Sequence, residues 1–279
     1  AFQSVEKKYK HPTISIGQSI NDLSRFVEEL NDLPSLDTVQ NSKNRSDKDD
    51  SKVIASRIIK TGLYKSLSVE KAEEQIFSKD VNIFSGSWEL KQADSLWQET
   101  SGAFCKMENG ILHVSTATKW SFLLQNILDQ ALGISEEKII IHKTKTSGMY
   151  SNGMWKNAIL ATQVALGSFL TGKPVKLVYT QSEQEKFMKP GIQTTVSYKT
   201  GVTSDGIIKS MNIDIFVNAG SQNPFAQEII DRLVIASTNI YKPENLYINA
   251  RAVTSKTPPT SSYLKIIDGQ SFYALEAHI

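Results

Sequence analysis

The spacing of apolar positions divides the chain into alternating strands and helices. Lys138–Lys143 is a short β-branched run, the mark of a buried strand. Trp155–Leu170 carries apolar residues at 155, 158, 159, 165, 166 and 169, which is a helical period. Gly172, with Pro174 two residues on, stops that helix, and Val175–Tyr179 resumes a strand. Strand, loop, helix and strand together predict a right-handed parallel crossover. In such a unit the loop after the first strand meets the helix N-terminus, where free N–H groups can hold an anion. Function is therefore to be sought between Thr146 and Trp155.

The same reading extends in both directions. Ser19–Leu33 has an amphipathic helical pattern, with Ser19 or Asn21 as its cap and Pro34 closing it. Gln40–Lys52 contains no apolar residue and reads as a solvated loop, since its carboxylates lack the ligand spacing of a calcium loop. Val53–Ala72 reads as strand, connection and helix. Glu108-Asn109-Gly110 between apolar runs is a hairpin signal, because Asn-Gly favours the tight two-residue turn. Trp120–Leu132 is a helix by period, ended by Gly133. Gln193–Thr200 alternates as a strand, Ser204-Asp205-Gly206 turns, and Ile207–Val217 returns as a second strand. Pro224–Ser237 is a helix with Asn223 as its cap.

Composition narrows the function classes. The 279 residues carry a formal charge of +2, which gives no general attraction to nucleic acid or to membranes. A single cysteine, Cys105, excludes an internal disulfide or a cysteine-rich metal site. No apolar run approaches the roughly 20 residues that a membrane-spanning helix needs. The first residues, from Ala1 to Pro12, show no apolar signal-peptide core, so a cytoplasmic protein is expected.

A resemblance enters at Val164–Leu177. This segment is similar to the one that follows the glycine-rich cofactor loop in xanthine dehydrogenases and aldehyde oxidases, the molybdenum hydroxylases. Counting back from Pro174 without a gap places residues 147–154 on that loop, whose pattern is Gly-Gly-Gly-Phe-Gly-Gly-Lys-Glu. Gly148 keeps its glycine, Tyr150 stands for the Phe, and Ser147, Met149 and Met154 depart from the pattern. Ala55-Ser56-Arg57-Ile58 resembles the opening of the family's small α/β domain. Ser115-Thr116-Ala117 falls on Ser-Thr-Gln, so Ala117 stands where a family glutamine reaches the cofactor, and alanine has no donor to offer. After Tyr179, Gln181 replaces an arginine and Glu183 keeps a carboxylate. Near the C-terminal end Pro258, Gln270, Phe272 or Tyr273, and Glu276 hold the family's frame. Tyr263 takes a Phe position, Leu264 replaces the arginine that orients substrate, and Lys265-Ile266-Ile267-Asp268 replaces a glycine-rich turn.

The resemblance implies a mixed α/β (α+β) chain with two parts. The first is a hammerhead-like N-terminal domain over 1–92 that includes the polar loop 40–52. The second, over 93–279, is a molybdopterin-binding-like domain corresponding to the first half of the family's cofactor-binding region. The family's second half, which holds the base glutamate and most pterin contacts, would then lie beyond Ile279. By the same resemblance the cofactor is molybdenum–molybdopterin, and its candidate contacts are Gly148, Met149, Tyr150 and Gly153. No catalytic and no metal-ligating residue is assigned. His113 and His142 read as satisfied strand histidines, and Cys105 as an inert buried thiol. Lys156 and Lys173 read as surface charge, and Glu99, Glu183 and Glu276 as framework hydrogen-bonding groups.

Three readings follow. The first is a catalytically incomplete relative, a pseudoenzyme or truncated subunit, that serves as a structural or binding partner within a homo-oligomer or beside a chain carrying the missing half. The second is a working oxidoreductase subunit that hydroxylates a purine or an aldehyde in a site completed by another chain. The third is a module that handles a small ligand or the cofactor without turnover.

Overall fold

Alternating and β-branched segments pair into two mixed sheets, each with helices on one face. The computed structural model describes residues 53–77, 80–91, 100–145, 156–188, 191–221, 223–260 and 267–279. In chain order the elements are β1 (Val53–Lys60), α1 (Val69–Ile76), β2 (Val81–Lys91), β3 (Gly102–Glu108), β4 (Ile111–Thr116), α2 (Ser121–Leu132) and β5 (Ile139–Lys143). There follow α3 (Lys156–Thr171), β6 (Val175–Val178), β7 (Gln193–Thr203), β8 (Ile208–Asn218), α4 (Ala226–Ala236), β9 (Asn245–Val253) and α5 (Ile267–His278). The helix expected at Ser19–Leu33, the loop Gln40–Lys52, the cofactor-loop positions Gly148, Met149, Tyr150 and Gly153, and Glu99, Tyr263 and Leu264 lie outside the described residues.

Among the described residues, the first unit comprises 100–145, 156–188 and 258–260. Its four-stranded sheet has the order β5-β4-β3-β6. The hairpin predicted at Asn109-Gly110 joins β3 to β4, with Glu108 opposite Ile111 and φ of 51° and 76° at the two turn residues. Both values lie in the left-handed region that the mirror-image turn requires. Strand β4 passes through α2 into β5 as a parallel neighbour. Gly133 ends α2 at φ 65°, the left-handed cap that glycine takes without a Cβ penalty.

The parallel relation expected of β5 and β6 on either side of α3 is present, with a difference in reach. β6 pairs antiparallel with β3, and β3 pairs antiparallel with β4, so β6 runs in the same direction as β5. Two strands stand between them in the sheet. Leu124 and Leu128 of α2 and Leu160, Val164 and Ala165 of α3 close over Cys105, Leu112 and Val114 on one face. The opposite face carries Phe104, Lys106, His113, Ile140 and His142, half-buried or exposed.

Among the described residues, the second unit comprises 53–77, 80–91, 191–221, 223–257 and 267–279. Its five-stranded sheet has the order β1-β9-β8-β7-β2, with β8 and β9 parallel and the other pairs antiparallel. Strands from the chain's early part thus form both edges of a sheet whose centre comes from 193–253. Helices α4 and α5 pack Ile229, Ile230, Leu233, Ala274 and Leu275 against Val196, Tyr198, Ile213, Ile215 and Ile248. Asn223, expected as the cap of α4, lies two residues before the actual N-cap Phe225, which has no side-chain cap bond. The Asn223 side-chain oxygen instead accepts from the Phe225 N–H at 2.9 Å and closes the turn that leads into the helix.

Candidate functional site

The ends of β4 and β6 and the start of β3 lie together in the first unit, because Ala103 faces Thr116 and Gly102 faces Val178. In open α/β sheets ligand sites gather at this carboxyl end of the parallel strands. Four segments meet there through buried polar groups. They are Ser101 before β3, Ala117 after β4, Lys156 and Asn157 in the first turn of α3, and the π-helical turn Gln184–Met188.

Asn157 holds the centre of this cluster. Its side-chain nitrogen donates to the Ala117 carbonyl, and its oxygen accepts from the Ser101 hydroxyl at 3.1 Å. The Ser101 N–H in turn donates to the Gln184 Oε1 at 2.8 Å. Gln184 is only 1% exposed, and among the described residues its Nε2 has no hydrogen-bond partner. An unpaired buried amide is costly, so this atom marks a local imperfection in an otherwise closed network. Replacing Asn157 with alanine strands the Ala117 carbonyl and the Ser101 hydroxyl at once. Urea unfolding should show a loss of about 2–3 kcal/mol, one desolvated group for each lost bond.

Lys156 corrects the surface reading drawn from sequence. It is fully buried at 0% exposure, and its ammonium donates to the carbonyls of Met188 at 3.1 Å and Phe187 at 3.4 Å. Burial alone pushes the Lys156 amine down to about 7, and among the described residues no carboxylate pairs with it. A lysine that opens a helix after a polar loop normally snorkels to water. Here the turn 184–188 folds over it.

The turn itself begins with a motif visible in the sequence. Thr180 and Glu183 form a capping box, with the Thr180 hydroxyl accepting from the Glu183 N–H and the Glu183 carboxylate accepting from the Thr180 N–H at 2.8 Å. Those bonds to Thr180 hold the Glu183 carboxyl below its usual range. The framework role read for Glu183 is what the structure gives it. Glu276 likewise accepts from the Tyr241 hydroxyl at 3.4 Å. Cys105 is buried, and burial pushes its thiol up, away from nucleophilic behaviour. His113 and His142 are satisfied by each other on the sheet's outer face. No group of three or more His, Cys, Asp or Glu suited to a metal ion occurs among the described residues.

The sequence profile of the molybdopterin cofactor-binding domain matches residues 58–279. The chain belongs to that family. Its curated relatives include aldehyde oxidase 2 of Cavia porcellus, 23% identical over 201 residues, and the xanthine dehydrogenase/oxidase of Mus musculus, 23% identical over 200 residues. Each alignment covers 71% of this chain and 15% of the relative, so the chain spans about a seventh of their length. Among solved structures, the aldehyde oxidoreductase from Desulfovibrio gigas superposes with a TM-score of 0.66 at 18% identity, covering 80% of this chain and 24% of that one. Quinoline 2-oxidoreductase from Pseudomonas putida 86 gives 0.65 at 16% identity, covering 83% and 29%. These likenesses establish the mixed α/β fold.

The polar cluster does not fit the cofactor that the molybdopterin-binding family implies. At the exit of β4 Ala117 has no side-chain donor, and its carbonyl is already occupied by Asn157. Glu183 is committed to its own cap, and the buried Lys156 ammonium to two backbone carbonyls. The orphan Gln184 amide is enclosed with them. The described donors are therefore turned inward, toward protein. Asn157, Ser101 and Gln184 had no period or motif to announce them. The capping-box pattern at Thr180–Glu183 was the one signal that a turn begins there.

Proposed function

We propose that this chain is a binding or structural partner built on the molybdopterin-binding fold and that it does not hydroxylate substrates by itself. The observation that carries this reading is the closed hydrogen-bond network around Ala117. A family glutamine that would reach a cofactor is replaced there by a residue with no donor, and Asn157 consumes the carbonyl that remains. The partner is a second copy of the chain or a chain supplying further parts of the family's cofactor region. A cytoplasmic setting suits its one free, buried thiol.

A second reading rests on the unpartnered Gln184 amide. There the chain contributes one wall of a molybdenum–pterin oxidoreductase acting on a purine or an aldehyde, with another chain completing the site.

Metal and pterin analysis of the protein purified from its native host, with its partners retained, separates the two. Molybdenum and an oxidised pterin fluorophore are expected to be absent from folded protein. Near one of each per chain would overturn the first reading and establish the second.

A further inference from the structure

We propose that His113 and His142 form a two-imidazole site for a divalent transition-metal ion, on the face of the first sheet opposite its helices. Alternation along β4 and β5 brings the two rings together. Leu112 and Val114 point into the core beneath α2 and α3, so His113 between them points outward. His113 is in register with Ile140 and Ser115 with His142, which places the second ring diagonally across the parallel pair. The His113 Nδ1 and the His142 Nε2 stand 3.0 Å apart, with the ring planes inclined by 19° and the centroids 5.3 Å apart.

Two imidazole nitrogens bound to one ion at about 2.0–2.1 Å, roughly at right angles, are themselves about 3 Å apart. The observed gap thus already has the span of one coordination edge. Without an ion the two nitrogens meet head-on and share a proton, since the gap and the two ring radii account for the whole centroid separation. His142 is exposed, so a turn of its ring about the side-chain bonds aims both lone pairs at one point outside the sheet. The ion then takes the place of the shared proton, which passes by way of solvent to the other nitrogen of the ring that gave it up, so both ligating rings stay neutral.

Glu108 stands on the same face. The Lys106 ammonium, 2.5 Å away, is the main influence holding its carboxyl low, and the nearby His113 ring adds to it. It stays paired with that lysine beside the site, and the two imidazoles are the protein's donors to the ion. Water fills the remaining positions, as an exposed site allows. Imidazole with water suits copper(II) best and nickel(II) next, by ligand type and by the general order of affinities.

Copper(II) ion added to the full chain is the probe. Wild type is expected to bind one ion with an electron paramagnetic resonance spectrum showing two nitrogen donors. His113→Gln and His142→Gln keep polar side chains on the face, and each should weaken binding by at least about tenfold. His11→Ala should leave binding unchanged. Thermal unfolding gives a second readout, because an ion held across β4 and β5 raises the melting temperature of wild type and not of either variant. Wild-type affinity retained in both glutamine variants would overturn the site, as would saturable copper binding that depends on His11. Neither result bears on the molybdenum and pterin content, so this proposal and the proposed function fail separately.

Discussion

Replacing Lys156 with methionine should stabilise the protein near neutral pH, with an advantage that fades as the solution is made alkaline. The folded amine titrates near 7, whereas in the unfolded chain it titrates near 10.5. Between those two values the unfolded state holds the extra proton, so wild-type stability rises with pH across that window. Below about 7 both states hold the proton and the full cost of the buried charge persists. Above 10.5 neither holds it and the cost is gone. Methionine fills a similar volume and has no proton to lose, so its own curve lacks this slope. The gap between the two proteins should narrow by about 3 kcal/mol from pH 7 to pH 10, at 1.36 kcal/mol per pH unit. Methionine also strands the carbonyls of Phe187 and Met188, which lowers its whole curve without tilting it. Guanidinium unfolding of both proteins at pH 7 and pH 10 reads the tilt directly, and parallel curves would show that the amine keeps an ordinary proton affinity.

Gly62→Ala should be the most damaging single methyl in the second unit. Gly62 sits at φ +56°, and a Cβ there would lie 2.2 Å from the Asn245 Oδ1 and 2.7 Å from the Glu244 carbonyl oxygen. Asn245 has no slack to move. Its Oδ1 accepts from the Leu63 N–H at 2.8 Å, and its Nδ2 donates to the Lys209 carbonyl at 3.0 Å. The substitution therefore adds left-handed strain of about 1 kcal/mol and displaces two hydrogen bonds at about 1 kcal/mol each, roughly 3 kcal/mol in all. Gly206 is the control, for its φ is +85° yet nothing lies within 4 Å of the added methyl. Gly206→Ala should cost only the strain. Urea unfolding followed by the fluorescence of the tryptophans compares the two, and equal losses would mean that the Asn245 tie carries no weight.

Local elements were readable because their causes are local. Asn109-Gly110 demands its turn whatever surrounds it, and Gly133 caps its helix through an atom a few residues away. Sheet order was not readable. Nothing in the period of β6 says that it joins β3 rather than β5, since that choice depends on the hairpin already occupying the space between. The candidate site was hidden for a related reason. Lys156 looks like surface charge until the turn 184–188, some thirty residues downstream, closes over it. Ala117 could be noticed by its departure from a resembling motif, but only the structure shows Asn157 taking its carbonyl.

The two units also differ in how the chain threads them. Among the described residues the first is, apart from 258–260, one continuous run, and its sheet is complete once β6 has emerged. The second is split around it, with β1 pairing only with β9, nearly two hundred residues later. During synthesis from the N-terminal end, the insert can finish folding while the early strands of its host still wait for their centre. A pause or a break after residue 190 would thus leave one complete sheet, β5-β4-β3-β6, on a chain that also carries two open strands, β1 and β2, each with unpaired edges and no sheet to join.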